Sequence, residues 1–383
     1  MKADGDRSTR LALLVAVFSS ISVYGLTAGL GYPLISLNLE SRGVSAGLIG
    51  LNASMLALAM LSLSPLVPGL IGRVGFRPLV IGALLTEALC FFVLTLSDSF
   101  WFWLAVRAAM GASATVLFLA AETWVNEIAD DASRGRIIGA YVTVLSLTFA
   151  IGPLLIPLVG FTGSLPFLIA TALLLLAGLP LLLVRPGVRA MTEQATAGVL
   201  VFLRNVPLLS GGVLLFAFLE GAALALPPVY GLRLGFSAGE AAVIVTVRAA
   251  GSVCLQYPVG WLADRMDRRR LMLLCAGAGM VGAAAMPFCA GLPMLFWPVL
   301  FLWGGLSVGV YTLALVLLGE RFQGHELATG NAAFGIMWGL GSLAGPLAGG
   351  AAMTLLGPHG LPALLAAASA TFLLFALGPR LIR

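Results

Sequence analysis

The sequence predicts an all-α polytopic membrane protein of twelve transmembrane helices, arranged as two six-helix bundles of like orientation. Three observations carry that prediction. Of 383 residues, 60% are hydrophobic and only 10% are charged, against roughly 25% charged in a soluble domain; the mean hydropathy is +1.06. The chain also divides into twelve apolar runs, each near the ~20 residues that a bilayer core requires. Finally, short segments recur at a spacing of about half the chain. A globule this size with so few charges could not stay dissolved. Disorder, nucleic-acid binding and a soluble enzyme are therefore excluded, despite a net charge of +5.

The first run, 11–38, follows a short N-terminus of mixed charge. It is too long for a signal-peptide core and reads as an uncleaved span. The runs 47–71 and 78–96 are separated by Gly72-Arg73-Val74-Gly75-Phe76-Arg77, and 100–124 follows Ser97-Asp98-Ser99. The runs 137–160 and 164–184, divided by Phe161-Thr162-Gly163, complete an N-terminal bundle of residues 1–184. A linker, 185–206, carries the polar stretch Met191-Thr192-Glu193-Gln194 and is long enough for a short surface helix. The C-terminal bundle, 207–383, contains runs 207–230, 238–262, 271–290, 294–318, 328–356 and 361–379. Helices are expected throughout, because runs of this length must satisfy their own backbone in lipid.

Basic residues set the orientation. Seventeen of the 21 lie in the termini and the loops that share the N-terminal side; the opposite loops hold only Arg42 and Arg233, and Arg107 and Arg248 fall within spans. By the positive-inside rule both termini are cytoplasmic, as in a bacterial-type inner membrane, and the linker is cytoplasmic too. Cysteines introduced at Arg73 and Arg268 should react only with reagent on the cytoplasmic side, and those at Arg42 and Arg233 only from outside. Equal labelling of the Arg42 and Arg73 sites from one face would overturn this topology.

The halves echo one another. Gly43-Val44-Ser45-Ala46-Gly47 returns as Gly235-Phe236-Ser237-Ala238-Gly239 at an offset of 192, while Gly152-Pro153 returns as Gly345-Pro346, and Glu127 as Glu320, at 193. Three matches at spacings of 192 or 193 mark a repeat of six spans. Transporters built this way bind substrate near the bilayer midplane, at the repeat interface.

After the eighth span the chain reads Gly260-Trp261-Leu262-Ala263-Asp264-Arg265-Met266-Asp267-Arg268-Arg269. This resembles the loop motif of the major facilitator superfamily, with Asp267 in place of its second glycine. The loop after the second span keeps Gly72, Arg73, Gly75 and Arg77 but has no aspartate. Arg107-Ala108-Ala109-Met110-Gly111 resembles the family's fourth-span motif. Gly341-Ser342-Leu343-Ala344-Gly345-Pro346-Leu347-Ala348-Gly349-Gly350 resembles the eleventh-span pattern associated with antiporters. The Ala121-Glu122-Thr123-Trp124 ending is similar to a YcaD-like bacterial branch. The resemblance implies the major facilitator fold and a secondary transporter working by alternating access.

Charges inside spans cost about 2.5–3.5 kcal/mol each and usually face a cavity or one another. Glu220 lies about 15–20 Å from either end of the seventh span, and Arg248 about 15 Å below the outer end of the eighth. Either Glu220 carries protons while Arg248 tunes it or holds an anionic substrate, or the two form a fixed ion pair. Arg107, about 10 Å from the outer face, is an anchor or electrostatic gate, or else bonds backbone carbonyls. Glu87 sits in a third span that the resemblance makes peripheral, as a structural partner, a lipid-side protonated acid or a transport residue. Tyr24, Asn52, Tyr311 and Trp338 are candidate cavity groups with packing as their ordinary alternative. At the cytoplasmic end, Glu127 is expected to pair with Arg73 or Arg77, and Glu320 with the run Arg268-Arg269-Arg270, closing an inner gate; solvated helix-end acids are the alternative. Asp264 is placed against the start of the fifth span, near Arg134 and Arg136. Gly341, Gly345, Gly349 and Gly350 with Pro346, and Gly152 with Pro153, permit close helix approach and bending.

His325 and His359 are read as loop residues, so proton coupling must rest on carboxylates. Cys90, Cys254, Cys275 and Cys289 lie in apolar stretches without metal-ligand spacing and read as buried free thiols. No cofactor, metal or catalytic constellation is expected. The function expected is proton-coupled export of a small amphipathic compound by a monomer in a lipid bilayer. The alternatives are proton-linked uptake of an organic anion or sugar, and a non-transporting sensor or scaffold on the same fold.

Overall fold

The structure, a computed structural model, describes residues 2–128, 134–183 and 199–378. Within those residues the side chains of 2–17, 20, 126–128, 134–136, 138, 181–183, 200 and 325 fall outside the description. The described residues form helices and connecting turns, without strands. In order they are α1 (Lys2–Ser41), α2 (Ala46–Leu63), α3 (Val67–Val74), α4 (Phe76–Val93), α5 (Phe100–Ile128), α6 (Arg134–Ile151), α7 (Ile156–Val159), α8 (Leu165–Leu183), α9 (Val199–Asn205), α10 (Pro207–Ala225), α11 (Pro227–Arg233), α12 (Ala238–Ala263), α13 (Arg268–Cys289), α14 (Pro293–Arg321), α15 (Gly324–Leu356) and α16 (Gly360–Ala376).

Each expected run has a helical counterpart. Nine stretches of the described residues are long and apolar enough to cross a membrane; Leu165–Pro180 and Gly360–Ala376 are shorter apolar helices, and α1 is the remaining run. Proline accounts for the interruptions, because it lacks an N–H and crowds the preceding turn. The second run breaks into α2 and α3 at the 3-10 turn Ser64–Leu66, which contains Pro65. The fifth breaks into α6 and α7 at Gly152–Leu155, which contains Pro153. The seventh breaks into α10 and α11 at Leu226, before Pro227 and Pro228. The linker's described part holds the short α9, whereas its polar stretch 191–194 lies outside the described residues. His325 falls in the first turn of α15 rather than in a loop, and Cys254 is exposed while Cys90 and Cys275 are buried.

The repeated Gly-x-Ser-Ala-Gly segment has a structural reason. Gly43 and Gly235 adopt φ of 75° and 87°, a left-handed turn that only glycine enters cheaply. Two residues on, Ser45 and Ser237 start the next helix. Ser45 Oγ accepts from the Leu48 amide at 3.4 Å. Ser237 and Glu240 form a reciprocal capping box. The motif loops diverge in the same terms. Gly75 closes α3 with φ of 89°. Asp267 keeps an ordinary φ of −58° and caps α13, accepting from the Arg270 amide at 2.7 Å. Aspartate replaces glycine where the turn is made by a cap.

The chain sorts into two compact units, residues 1–34 with 58–193, and residues 35–57 with 194–383. In the first, α4 packs on α5 and α8, with Trp103 and Phe167 edge-to-face at 5.6 Å. In the second, α10 packs on α15, α14 lies between α12 and α13, and α13 meets α16. Outward faces are apolar: Phe288 is 84% exposed, Leu158 79% and Leu374 75%. Such faces suit hydrocarbon, not water.

Candidate functional site

Glu220 and Arg248 meet inside the second unit. Consecutive spans, α10 and α12, carry them. The Arg248 Nη1 and Nη2 atoms each donate to a Glu220 carboxylate oxygen at 2.7 Å. This parallel two-bond geometry is the strongest form of the ion pair. The arginine side chain is 4% exposed and the glutamate 18%, so the acid keeps the more open position. Gly304 of α14 makes room for the arginine, since a Cβ there would strike its backbone and Cγ. Arg248 Nε has no hydrogen-bond partner.

An aromatic cluster lies one helical turn away on α10. Phe216 stacks on Tyr311 of α14 at 5.3 Å between ring centroids and meets Trp338 of α15 at 5.3 Å; Tyr311 and Trp338 are 5.0 Å apart. Tyr311 and Trp338, separate candidates in the sequence, are thus brought together with Phe216, which its apolar neighbours hid.

A second polar cluster occupies the first unit. Arg107 on α5 is 3% exposed, with its guanidinium 4.9 Å from the centre of the Tyr32 ring and Nη1 4.0 Å from the Met110 sulfur. Its Nε has no partner. The charge is therefore met by a ring face and a thioether rather than by backbone carbonyls. Glu87 on α4 is buried and turned toward α5, where the Ser113 hydroxyl donates to its carboxylate. It does not face lipid. Arg107 and Tyr24 lie within electrostatic range of Glu87. Asn52 on α2, in the second unit, is buried with its Nδ2 unpartnered.

At the basic end, Arg268 of α13 pairs with Glu320 of α14. Asp264 ends α12 with its side chain 75% exposed and 3.9 Å from Arg268. Arg269 Nη2 reaches the Ala376 carbonyl at 3.4 Å. Arg73 is exposed. The side chains of Glu127, Arg134 and Arg136 lie outside the description, and with them the pairing of Glu127 with Arg73 or Arg77 and the surroundings expected for Asp264.

The opposite end of the second unit has a lock that no motif announced. Arg233 of α11 donates two bonds to Glu40 at the end of α1, at 2.7 and 3.0 Å. Between α2 and α15 the Gly47 amide donates to Thr354 Oγ1 at 2.9 Å and, two turns further along α2, the Ser54 hydroxyl donates to the Leu343 carbonyl at 2.8 Å.

The glycine stripe packs helix backbones together. A Cβ on Gly345 would run into the Phe218 carbonyl, and one on Gly341 into Leu214 and Ala217, all on α10. Gly349 faces Leu226 and Leu361, whereas Gly350 abuts Ala46 at the start of α2. Pro346 lies within α15 and contacts Gly50 and Gly221. In the first unit Gly152, followed by Pro153, abuts Leu26, Gly29 and Leu30 of α1. The partner glycines Gly29 and Gly221 are themselves 192 residues apart, so both halves use the same crossing. That spacing was a readable signal for two residues the motifs omit. Among the described residues no group of histidine, cysteine, aspartate and glutamate could hold a metal ion.

Comparison with known proteins accords with this geometry. The profile of the Major Facilitator Superfamily matches residues 13–237 and 208–382. The uncharacterized MFS-type transporter YfkF of Bacillus subtilis (strain 168) is 32% identical over 340 residues, covering 86% of each chain. The uncharacterized MFS-type transporter YcaD of Escherichia coli O7:K1 is 26% identical over 344 residues, covering 88% of each. Among solved structures, the nucleoside transporter NupG is similar with a TM-score of 0.78 at 12% identity, over 96% of this chain and 98% of that one. A D-xylose-proton symporter gives 0.75 at 14%, over 96% and 97%. At such identities these likenesses show the fold. With a matching profile along nearly its whole length and a relative at 32% identity, the chain belongs to the Major Facilitator Superfamily and is a membrane transporter of that family.

Proposed function

We propose that the chain exports a small amphipathic compound in exchange for protons by alternating access, with Glu220 as the proton carrier. The observation that carries this reading is the bidentate Glu220–Arg248 pair, in which the acid is 18% exposed and the base 4%. Ionised, the pair is neutral overall and tolerable among apolar helices. Protonated, the acid cannot hold both guanidinium bonds, and Arg248 must find another partner. That competition links a proton to a rearrangement, which is what coupling requires. The half-buried rings of Tyr311 and Trp338, backed by the buried Phe216, offer a face for the flat or apolar part of a substrate. Arg107 serves as the anchor of the first-unit cluster.

Uptake of an organic anion through Arg107 and Arg248 would need both guanidiniums free. The terminal nitrogens of Arg248 are already taken by Glu220, which favours exchange. On this account the protein works as a monomer in a bacterial-type inner membrane with its basic end cytoplasmic. The Arg268–Glu320 pair closes at that end, and Glu40–Arg233 at the other. Compounds that raise the unfolding temperature of purified protein should then move into proteoliposomes under an imposed pH gradient and stop when a protonophore is added. Movement indifferent to the gradient would contradict proton coupling, and no movement of any stabilising compound would favour a sensor.

The gate acids should differ. Glu320→Gln removes the carboxylate that Arg268 holds, whereas Asp264→Asn removes one that is mostly solvated at 3.9 Å. Exposed pairs are worth about 0–1 kcal/mol and one this long and open sits at the low end, so turnover of Asp264→Asn should stay within about two-fold of the parent. Glu320→Gln breaks the closer of two exposed pairs and should change it more, by up to about five-fold. The reverse ranking in initial-rate measurements would place the gate at Asp264 instead of Glu320.

A further inference from the structure

A cavity of about 740 Å³ opens at the basic end of the second unit, away from the Glu220 cluster. Its walls combine Arg204 at the end of α9, Arg269 in the first turn of α13, and Glu320 and Arg321 at the end of α14, with apolar Val206, Leu209 and Leu317. Three guanidiniums face one carboxylate, and that carboxylate is already held by Arg268 from outside the wall. Arg204 forms no hydrogen bond or ion pair among the described residues; Arg321 has only a distant ring contact with Phe322, 5.6 Å from its centre. Arg269 spends one nitrogen on a long bond to the Ala376 carbonyl.

The start of α10 adds to this field. The helix begins at Pro207, which has no N–H, and no side chain caps its first turn. The amides of Leu208 and Leu209, both in the cavity wall, therefore point their N–H groups without an intrahelical acceptor. A helix start of this kind carries about half a positive charge. Arginines carrying unused planar donor pairs, beside free first-turn amides, suit tetrahedral oxyanions. The apolar part of the wall suits the carbon attached to such a group.

We propose that this cavity binds a phosphate group, as the headgroup of an anionic phospholipid or as a soluble phosphate compound. The site is independent of the Glu220 assignment: it shares no residue with the Glu220–Arg248 pair or the aromatic cluster. The cavity lies at the ends of membrane-crossing helices, where basic pockets meet lipid headgroups.

The test uses the purified full chain in nanodiscs of phosphatidylcholine alone, of phosphatidylcholine with phosphatidylglycerol, and of phosphatidylcholine with inorganic phosphate or glycerol 3-phosphate added. Thermal unfolding and native mass spectrometry are read for each. Arg204→Gln and Arg321→Gln, both exposed positions, are made singly and together, with the neighbouring exposed Arg270→Gln as control. Phosphatidylglycerol should raise the unfolding temperature and stay bound in the mass spectra. Each cavity arginine removed should weaken this about five-fold, and the control should not. Stabilisation by the soluble phosphates alone would identify the soluble source. Binding of none of the three above the phosphatidylcholine baseline, or unchanged binding in the double variant, would overturn the proposal. Both single variants are measured as well, so poor folding of the double variant leaves the test intact.

Discussion

Glu220→Gln is expected to abolish accumulation driven by a pH gradient while leaving substrate binding and substrate–substrate exchange largely intact. The amide keeps the shape of the acid and can still accept one bond from Arg248, so the helices α10 and α12 stay joined. What it loses is the ability to take up and release a proton. Deleting the base instead is expected to be harsher on the fold. Removing one member of a buried pair strands the other, at a typical cost of about 3–5 kcal/mol. Arg248→Ala should therefore lower expression or unfolding temperature as well as transport, and Glu220→Gln only transport. Accumulation by Glu220→Gln equal to that of the parent would refute the coupling assignment.

The second large effect is on stability. Gly345→Ala places a methyl group against the backbone carbonyl of Phe218, an atom that cannot rotate away. Overpacking of this kind costs about 1–3 kcal/mol, and Gly152→Ala, pressed on Leu26 and Leu30, should behave alike. Gly349→Ala meets only the ends of the Leu226 and Leu361 side chains and should cost less. Gly335, in the same helix α15, has open space around it. There alanine should be neutral or stabilise by up to about 1 kcal/mol, since it loses less freedom on folding. Thermal unfolding of the four variants checks the order. A Gly345→Ala protein as stable as Gly335→Ala would mean that α10 and α15 are not in backbone contact.

Some of this was legible in the sequence and some was not, for physical reasons. The spans could be read because a bilayer demands long apolar runs, and proline and glycine mark their ends. The Glu220–Arg248 meeting was readable because the residues lie at similar depth on consecutive helices, only 28 positions apart. Asp267 in place of a motif glycine looked like a loss and is a helix cap. The inward turn of Glu87 was hidden because the third span is apolar on every side, so no periodicity tells which face meets α5. Its partner Ser113 is one small hydroxyl in a run of alanines and glycines. Glu40 and Arg233 lie 193 residues apart and belong to no motif. Only the packing of residues 35–57 against the C-terminal helices brings them together.

The central claim is that Glu220 exchanges its proton with the binding of substrate. Proton release can be read directly, by adding a stabilising compound to detergent-solubilised protein in weakly buffered solution with a pH indicator. The account predicts proton release from the parent protein, by linkage between the two ligands, in solutions acidic enough for Glu220 to start protonated, and none from Glu220→Gln that still binds the compound. Equal release from both proteins would contradict it.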